Sequence, residues 1–140
     1  MVWAMQRRLG RQLLGWSALS SAAGVLLLII GTPFWQGAGL QAGVWGVIDG
    51  GIALFGLASS RRRQARPDAN NPEALQREAR NLRRLLLINA ALDVLYVAAG
   101  VAVVTTLATA FARGNGVGII VQGTFLLFFD TFYALRSKPR

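Results

Sequence analysis

The stretch LLLINAALDVLYVAAG, residues 85–100, decides how the chain is read. It is apolar enough to cross a bilayer, yet it carries Asn89, Asp93 and Tyr96. Steps of four and three residues put these side chains on one face of a helix. Lipid cannot satisfy hydrogen bonds, so such a face turns toward other helices or a cavity. The stretch therefore predicts a bundle of spanning helices rather than a single anchor.

The rest of the chain agrees. Of 140 residues, 54% are hydrophobic, and the mean hydropathy of +0.43 is high for a soluble domain. Apolar runs free of Lys and Arg cover residues 13–35, 40–58, 85–112 (interrupted by no cation) and 117–135. Each reaches the roughly 17 to 25 residues that a spanning helix needs. The chain has no cysteine and no histidine. Disulfides, thiolate metal sites, the usual haem ligand and the usual neutral-pH general base are thereby excluded. No metal, cofactor or catalytic residue is assigned.

Charge is distributed unevenly along these runs. Among 15 Lys and Arg, three precede the first run, eight lie between the second and third, and three follow the fourth (Arg136, Lys138, Arg140); Arg113 alone falls in another connection. The positive-inside rule then places both termini and the middle loop in the cytosol of a bacterial inner membrane. A basic start followed by an apolar run also fits a signal peptide, but the run exceeds the length of an h-region and lacks a small-residue cleavage pattern. It is read as a helix. TPFWQGAG (residues 32–39) and FARGNGVG (111–118) are expected to be short outer connections, each closing a helical hairpin. In the middle segment Asn71, Pro72 and Glu73 mark a helix start that continues into the third span.

Shifting the chain by 73 residues aligns its halves without gaps, with Arg11 on Arg84, Thr32 on Thr105, Gly43 on Gly116, Gly50 on Gly123 and Phe55 on Phe128 among the identities. The expected architecture is an all-α, four-helix transmembrane bundle of two repeated hairpins. It forms a single domain, with repeats at residues 11–60 and 82–136 around a cytosolic basic loop at 61–81.

Three of the six acids, Asp49, Asp93 and Asp130, lie inside apolar runs. Intramembrane acids are costly and count by default as candidate site residues. Measured from the nearest basic residue, Asn89 lies about 8 Å deep, Asp93 about 14 Å, Tyr96 and Asp49 about 18 Å, Asp130 about 9 Å and Gln122 about 21 Å. These depths predict a polar ladder in which Asn89 meets Asp130 and Tyr96 meets Asp49, with Asp130 also within reach of Arg83, Arg84 or Arg136. Gly43, Gly46, Gly50 and Gly123 are expected to let helices approach closely. Arg61, Arg62, Arg63, Arg83 and Arg84 are expected to meet anionic lipid headgroups rather than nucleic acid.

The pair LRRLLLINAALDVLYVAAG (82–100) and GIIVQGTFLLFFD (118–130) resembles an uncharacterised family of small bacterial membrane proteins. There an N-x-x-x-D-x-x-Y segment on one helix is followed by Q-G-x-F-L-x-x-F-D on the next. The resemblance implies a four-helix membrane fold and shared positions at Asn89, Asp93, Tyr96, Gln122, Gly123 and Asp130; it implies no activity. The first hairpin departs from the pattern, with Trp16 and Ser20 in place of Asn89 and Asp93, and Asp49 opposite Gln122.

Three functions remain open. The first is a structural or accessory subunit, alone as a homo-oligomer or beside a membrane-protein partner, whose polar ladder holds the helices in register. The second is a small proton- or cation-coupled transporter or channel using Asp93 and Asp49. The third is binding of a lipid-like ligand. Enzymatic chemistry ranks below these, because no nucleophile or metal constellation accompanies the carboxylates.

Overall fold

The computed structural model describes residues 1–138, so that Arg140 lies outside the described residues. The chain forms α1 (Val2–Ile30), α2 (Pro33–Gln64), α3 (Pro72–Thr106) and α4 (Ala110–Arg136), and no strand occurs among the described residues. All four helices are long and apolar enough to cross a membrane. Their burial pattern is inverted relative to a soluble bundle. Ile29, Val47, Phe55 and Phe128 are exposed, while Ser20, Asp49, Asp93, Gln122 and Asp130 are buried. Lipid is the solvent that suits such a surface.

The helices start and stop where local chemistry directs. Pro33 and Pro72 occupy first-turn positions, where a missing N–H costs nothing and the fixed φ suits the helix. Asn71 is the N-cap of α3 and Glu73 sits in its first turn. Thr109 caps α4 by accepting a hydrogen bond from the Ala112 N–H at 3.2 Å.

The connections are shorter than the glycines suggest. TPFWQGAG and FARGNGVG are almost wholly helical, and the real links are residues 31–32 and 107–109. The physical reason is packing. Gly37 and Gly114 are buried, a Cβ on Gly37 would collide with the Phe111 carbonyl and lie 2.9 Å from the Asn115 nitrogen, and a Cβ on Gly114 would collide with the Phe34 carbonyl. No residue among those described has a positive φ. These glycines thus serve close approach of α2 and α4, and turn formation is left to other residues. In the middle segment, α2 runs on to Gln64, leaving only residues 65–71 as a true connection.

α1 packs along α2 and α3 along α4, and α2 also packs against α4, most closely near their N-terminal ends at Gly37, Gly114 and Gly118. Ser17 Oγ donates to the Gly46 carbonyl at 2.6 Å across the first hairpin. α2 and α3 do not pack backbone to backbone. They meet through long side chains, which leaves a cleft between them. Its arginine-rich end is closed by a polar clasp. Ser60 Oγ donates to Gln6 Oε1 at 2.6 Å, and Gln6 Nε2 donates to Glu78 Oε2 at 3.3 Å. Arg63 Nε lies 2.9 Å from Glu78 Oε1, pairing the charges although poorly aligned for a hydrogen bond.

Candidate functional site

The cleft encloses about 310 Å³, within the size range of small-ligand sites. Asp49 from α2, Asn89 and Asp93 from α3, and Asp130 from α4 all line it. Spacing explains their convergence. Gln41, Trp45, Asp49 and Ala53 follow one another at i+4 along α2, and Asn89, Asp93 and Tyr96 share a face of α3. The Asp93 and Asp130 carboxyls lie within hydrogen-bonding reach of one another, and Asp49 is near enough to interact electrostatically with both. Asp49 is 2% exposed and Asp93 8%. Even so, Asp49 Oδ2 and Asp93 Oδ2 have no hydrogen-bond partner.

No buried base offsets these acids. The ion pair among the described residues is Arg63 with Glu78 at the clasp, and the expected reach of Asp130 to Arg83, Arg84 or Arg136 is not realised. Asp130 turns inward to Asp93 instead. Nor do the acids form a metal cage: among the described residues no group of three ligating side chains is close enough to hold a metal ion.

Around this cluster the other polar residues are paired. The Tyr96 hydroxyl accepts from Trp45 Nε1 and donates to Gln41 Oε1 at 3.2 Å. Gln41 Nε2 in turn donates to Asn115 Oδ1 at 2.9 Å. Tyr96 is therefore bonded to α2 above Asp49, not to Asp49 itself. Gln122 lies two turns from Asp130 on α4 but outside the cleft: it accepts from Trp16 Nε1 at 3.0 Å and donates to Ser20 Oγ at 3.3 Å, joining α4 to α1. The Trp16 ring stacks on Phe125 with centroids 3.7 Å apart. So the six polar candidates divide. Asp49, Asn89, Asp93 and Asp130 share the cleft, while Tyr96 and Gln122 belong to two satisfied networks.

The glycines also divide. A Cβ on Gly46 would lie 2.8 Å from the Ser21 nitrogen, one on Gly50 2.5 Å from Ser17 Oγ, and one on Gly123 2.8 Å from Val97 Cγ2. A Cβ on Gly43 would meet nothing within 4 Å, but the backbone of Gly43 is what a side chain on Gly24 would strike. Among the arginines, Arg61, Arg62 and Arg84 are exposed, Arg83 is half-buried and Arg63 is held by Glu78. Trp16, Trp45, Gln41 and Ser20 were not among the sequence candidates. The i+4 series 41, 45, 49 carried the signal for two of them.

Four helices long and apolar enough to span a membrane, packed around a buried polar interior, are compatible with a small multi-pass membrane protein. The chain belongs to a family of unknown function (DUF6992), whose family model matches residues 12–131. That range contains most of both hairpins and all the cleft acids. No curated protein and no solved structure matches the chain.

Proposed function

We propose that the protein is a small inner-membrane carrier whose cleft carboxyls exchange a proton or a cation. The observation that carries this reading is the pair of nearly fully buried, unpartnered oxygens on Asp49 and Asp93, both facing a cavity whose basic lining residue, Arg63, is paired with Glu78 instead. Buried polar groups kept for structure find partners. These two are held at a cost in stability, as groups kept for function often are. Both termini and the 65–71 connection lie in the cytosol in this reading, on the strength of the arginine asymmetry. Arg61, Arg62 and Arg84 then contact anionic headgroups.

A duplicated hairpin fits the contacts. Ser20 and Gln122 meet across α1 and α4, and the positions 73 residues away from each, Asp93 and Asp49, face one another across α3 and α2. One pair is neutral, bonded and covered by Trp16; the other is acidic and open. The site is thus confined to one side of a parallel repeat.

A second reading, a structural or accessory subunit that assembles as a homo-oligomer or with a membrane partner, is favoured by the satisfied Trp16–Gln122–Ser20 and Trp45–Tyr96–Gln41 networks. Melting of Asp93→Asn in detergent separates the two. Asn is nearly isosteric and keeps a hydrogen bond to Asp130. The carrier reading expects an unchanged or raised melting temperature, and a large loss would assign Asp93 to the structural network.

A further inference from the structure

The cleft has features that select one class of occupant. An inorganic cation needs several oxygen ligands at once, and the described acids do not converge tightly enough to supply them. Apart from Gln6, Arg63 and Asn89, the remaining lining is apolar, including Ile52, Leu85, Leu92, Trp45 and Phe129. Ile52, Leu85 and Leu92 are each more than half exposed on the outer surface of the bundle. The cleft is consequently reached sideways from the hydrocarbon, between α2 and α3. Its polar demand is for donors, since the two orphaned atoms are carboxyl oxygens. Its charge demand is positive, since three acids face it and no unpaired base does. The charged or titratable groups around it are Tyr96, hydrogen-bonded to Trp45 and Gln41, and Arg63, paired with Glu78; α1 contributes only Gln6, Leu9, Gly10 and Leu13.

We infer that the cleft between α2 and α3 is a binding site for a lipophilic primary or secondary ammonium. Its N–H groups donate to Asp49 and Asp93, its charge lies near the rings of Trp45 and Phe129, and its apolar body rests against Ile52, Leu85 and Leu92 toward the lipid. A quaternary ammonium carries the charge and suits the rings but has no donor for the orphaned oxygens. A neutral alcohol has the donor but not the charge. This inference rests on the carrier reading and names its substrate class.

The test uses the full chain in lipid nanodiscs and measures binding of phenylbutylamine, phenylbutanol and phenylbutyl-trimethylammonium by calorimetry. The amine is expected to bind saturably and at least about tenfold more tightly than either comparison compound. Asp49→Asn and Asp93→Asn are each expected to weaken it by about tenfold to a hundredfold, the loss that accompanies one hydrogen bond to a charged group. Ile52→Trp alters a lipid-facing residue at the entrance, so it is expected to weaken the amine while leaving the fold intact, which covers the case in which an acid variant does not fold. Equal affinity for amine and alcohol, or full affinity in these variants, overturns the inference. If Asp93→Asn melts as the native protein does but no amine binds, the carrier reading stands and the substrate class is wrong. If Asp93→Asn collapses and no amine binds, both fall.

Discussion

Gln122→Leu removes a satisfied polar pair without much change of volume, and its cost can be worked out from the contacts. Gln122 accepts from Trp16 Nε1 at 3.0 Å and donates to Ser20 Oγ at 3.3 Å. Side-chain hydrogen bonds between helices in a bilayer contribute about 0.6 kcal/mol each, with a maximum near 1.7. Losing both predicts about 1.2 kcal/mol of destabilisation, with the indole N–H left unpaired. Trp16→Phe keeps a ring to stack on Phe125 but loses the donor and part of the stacked area, so it is expected to cost at least about half as much. A double-mutant cycle of Trp16→Phe and Gln122→Leu should then show coupling of about 0.6 kcal/mol, measured by reversible unfolding in mixed detergent micelles. A neutral or stabilising Gln122→Leu, or zero coupling, would refute the assignment of this network to structure. It would also remove the contrast on which the reading of Asp49 and Asp93 depends.

Other substitutions test the remaining contacts. Gly37→Ala puts a methyl group against the Phe111 carbonyl and the Asn115 nitrogen; because both are backbone atoms, a loss of about 1 to 3 kcal/mol is expected in the same unfolding assay. Tyr96→Phe leaves Trp45 Nε1 without its acceptor and should cost about 0.6 to 1.7 kcal/mol while changing the tryptophan emission. Glu78→Gln breaks the clasp pair to half-exposed Arg63 and should shift stability by less than about 1 kcal/mol. Since the chain contains no cysteine, Asn70→Cys and Ala108→Cys give clean single-thiol reporters. In intact cells an impermeant maleimide should reach Ala108→Cys but not Asn70→Cys, and the reverse pattern would invert the orientation.

Much of the architecture was legible because the bilayer imposes a simple rule on sequence: long cation-free runs span it. The start of α3 was equally legible, since Asn71, Pro72 and Glu73 each have a positional reason to be there. The helix starts near Pro33 and Ala110 were not. Gly37, Gly39, Gly114 and Gly116 read as turn formers from composition, whereas in the structure they let helices touch, and only a partner surface distinguishes those uses. For the site, the i+4 and i+3 spacing on α3 led to Asn89 and Asp93, and depth set Asn89 against Asp130 and Tyr96 against Asp49, with Asp93 between those levels. Depth alone does not fix the direction a residue faces around its helix. That is why Gln122 turns to α1 and Tyr96 to Trp45, both at the right level but outside the cleft.

The central claim is that the Asp49, Asp93 and Asp130 carboxyls form a site open to the lipid phase. Its most direct test is reaction of the protein in membranes with a lipid-soluble carbodiimide, followed by mass spectrometry of the labelled peptides. This reagent adds to the O–H of a carboxylic acid that it can reach through hydrocarbon. The account predicts label on Asp49 or Asp93, lost in the corresponding Asn variant, with none on Asp68, Glu73 or Glu78 at the arginine-rich end. Label confined to those three, or no label on any cleft acid, would contradict it.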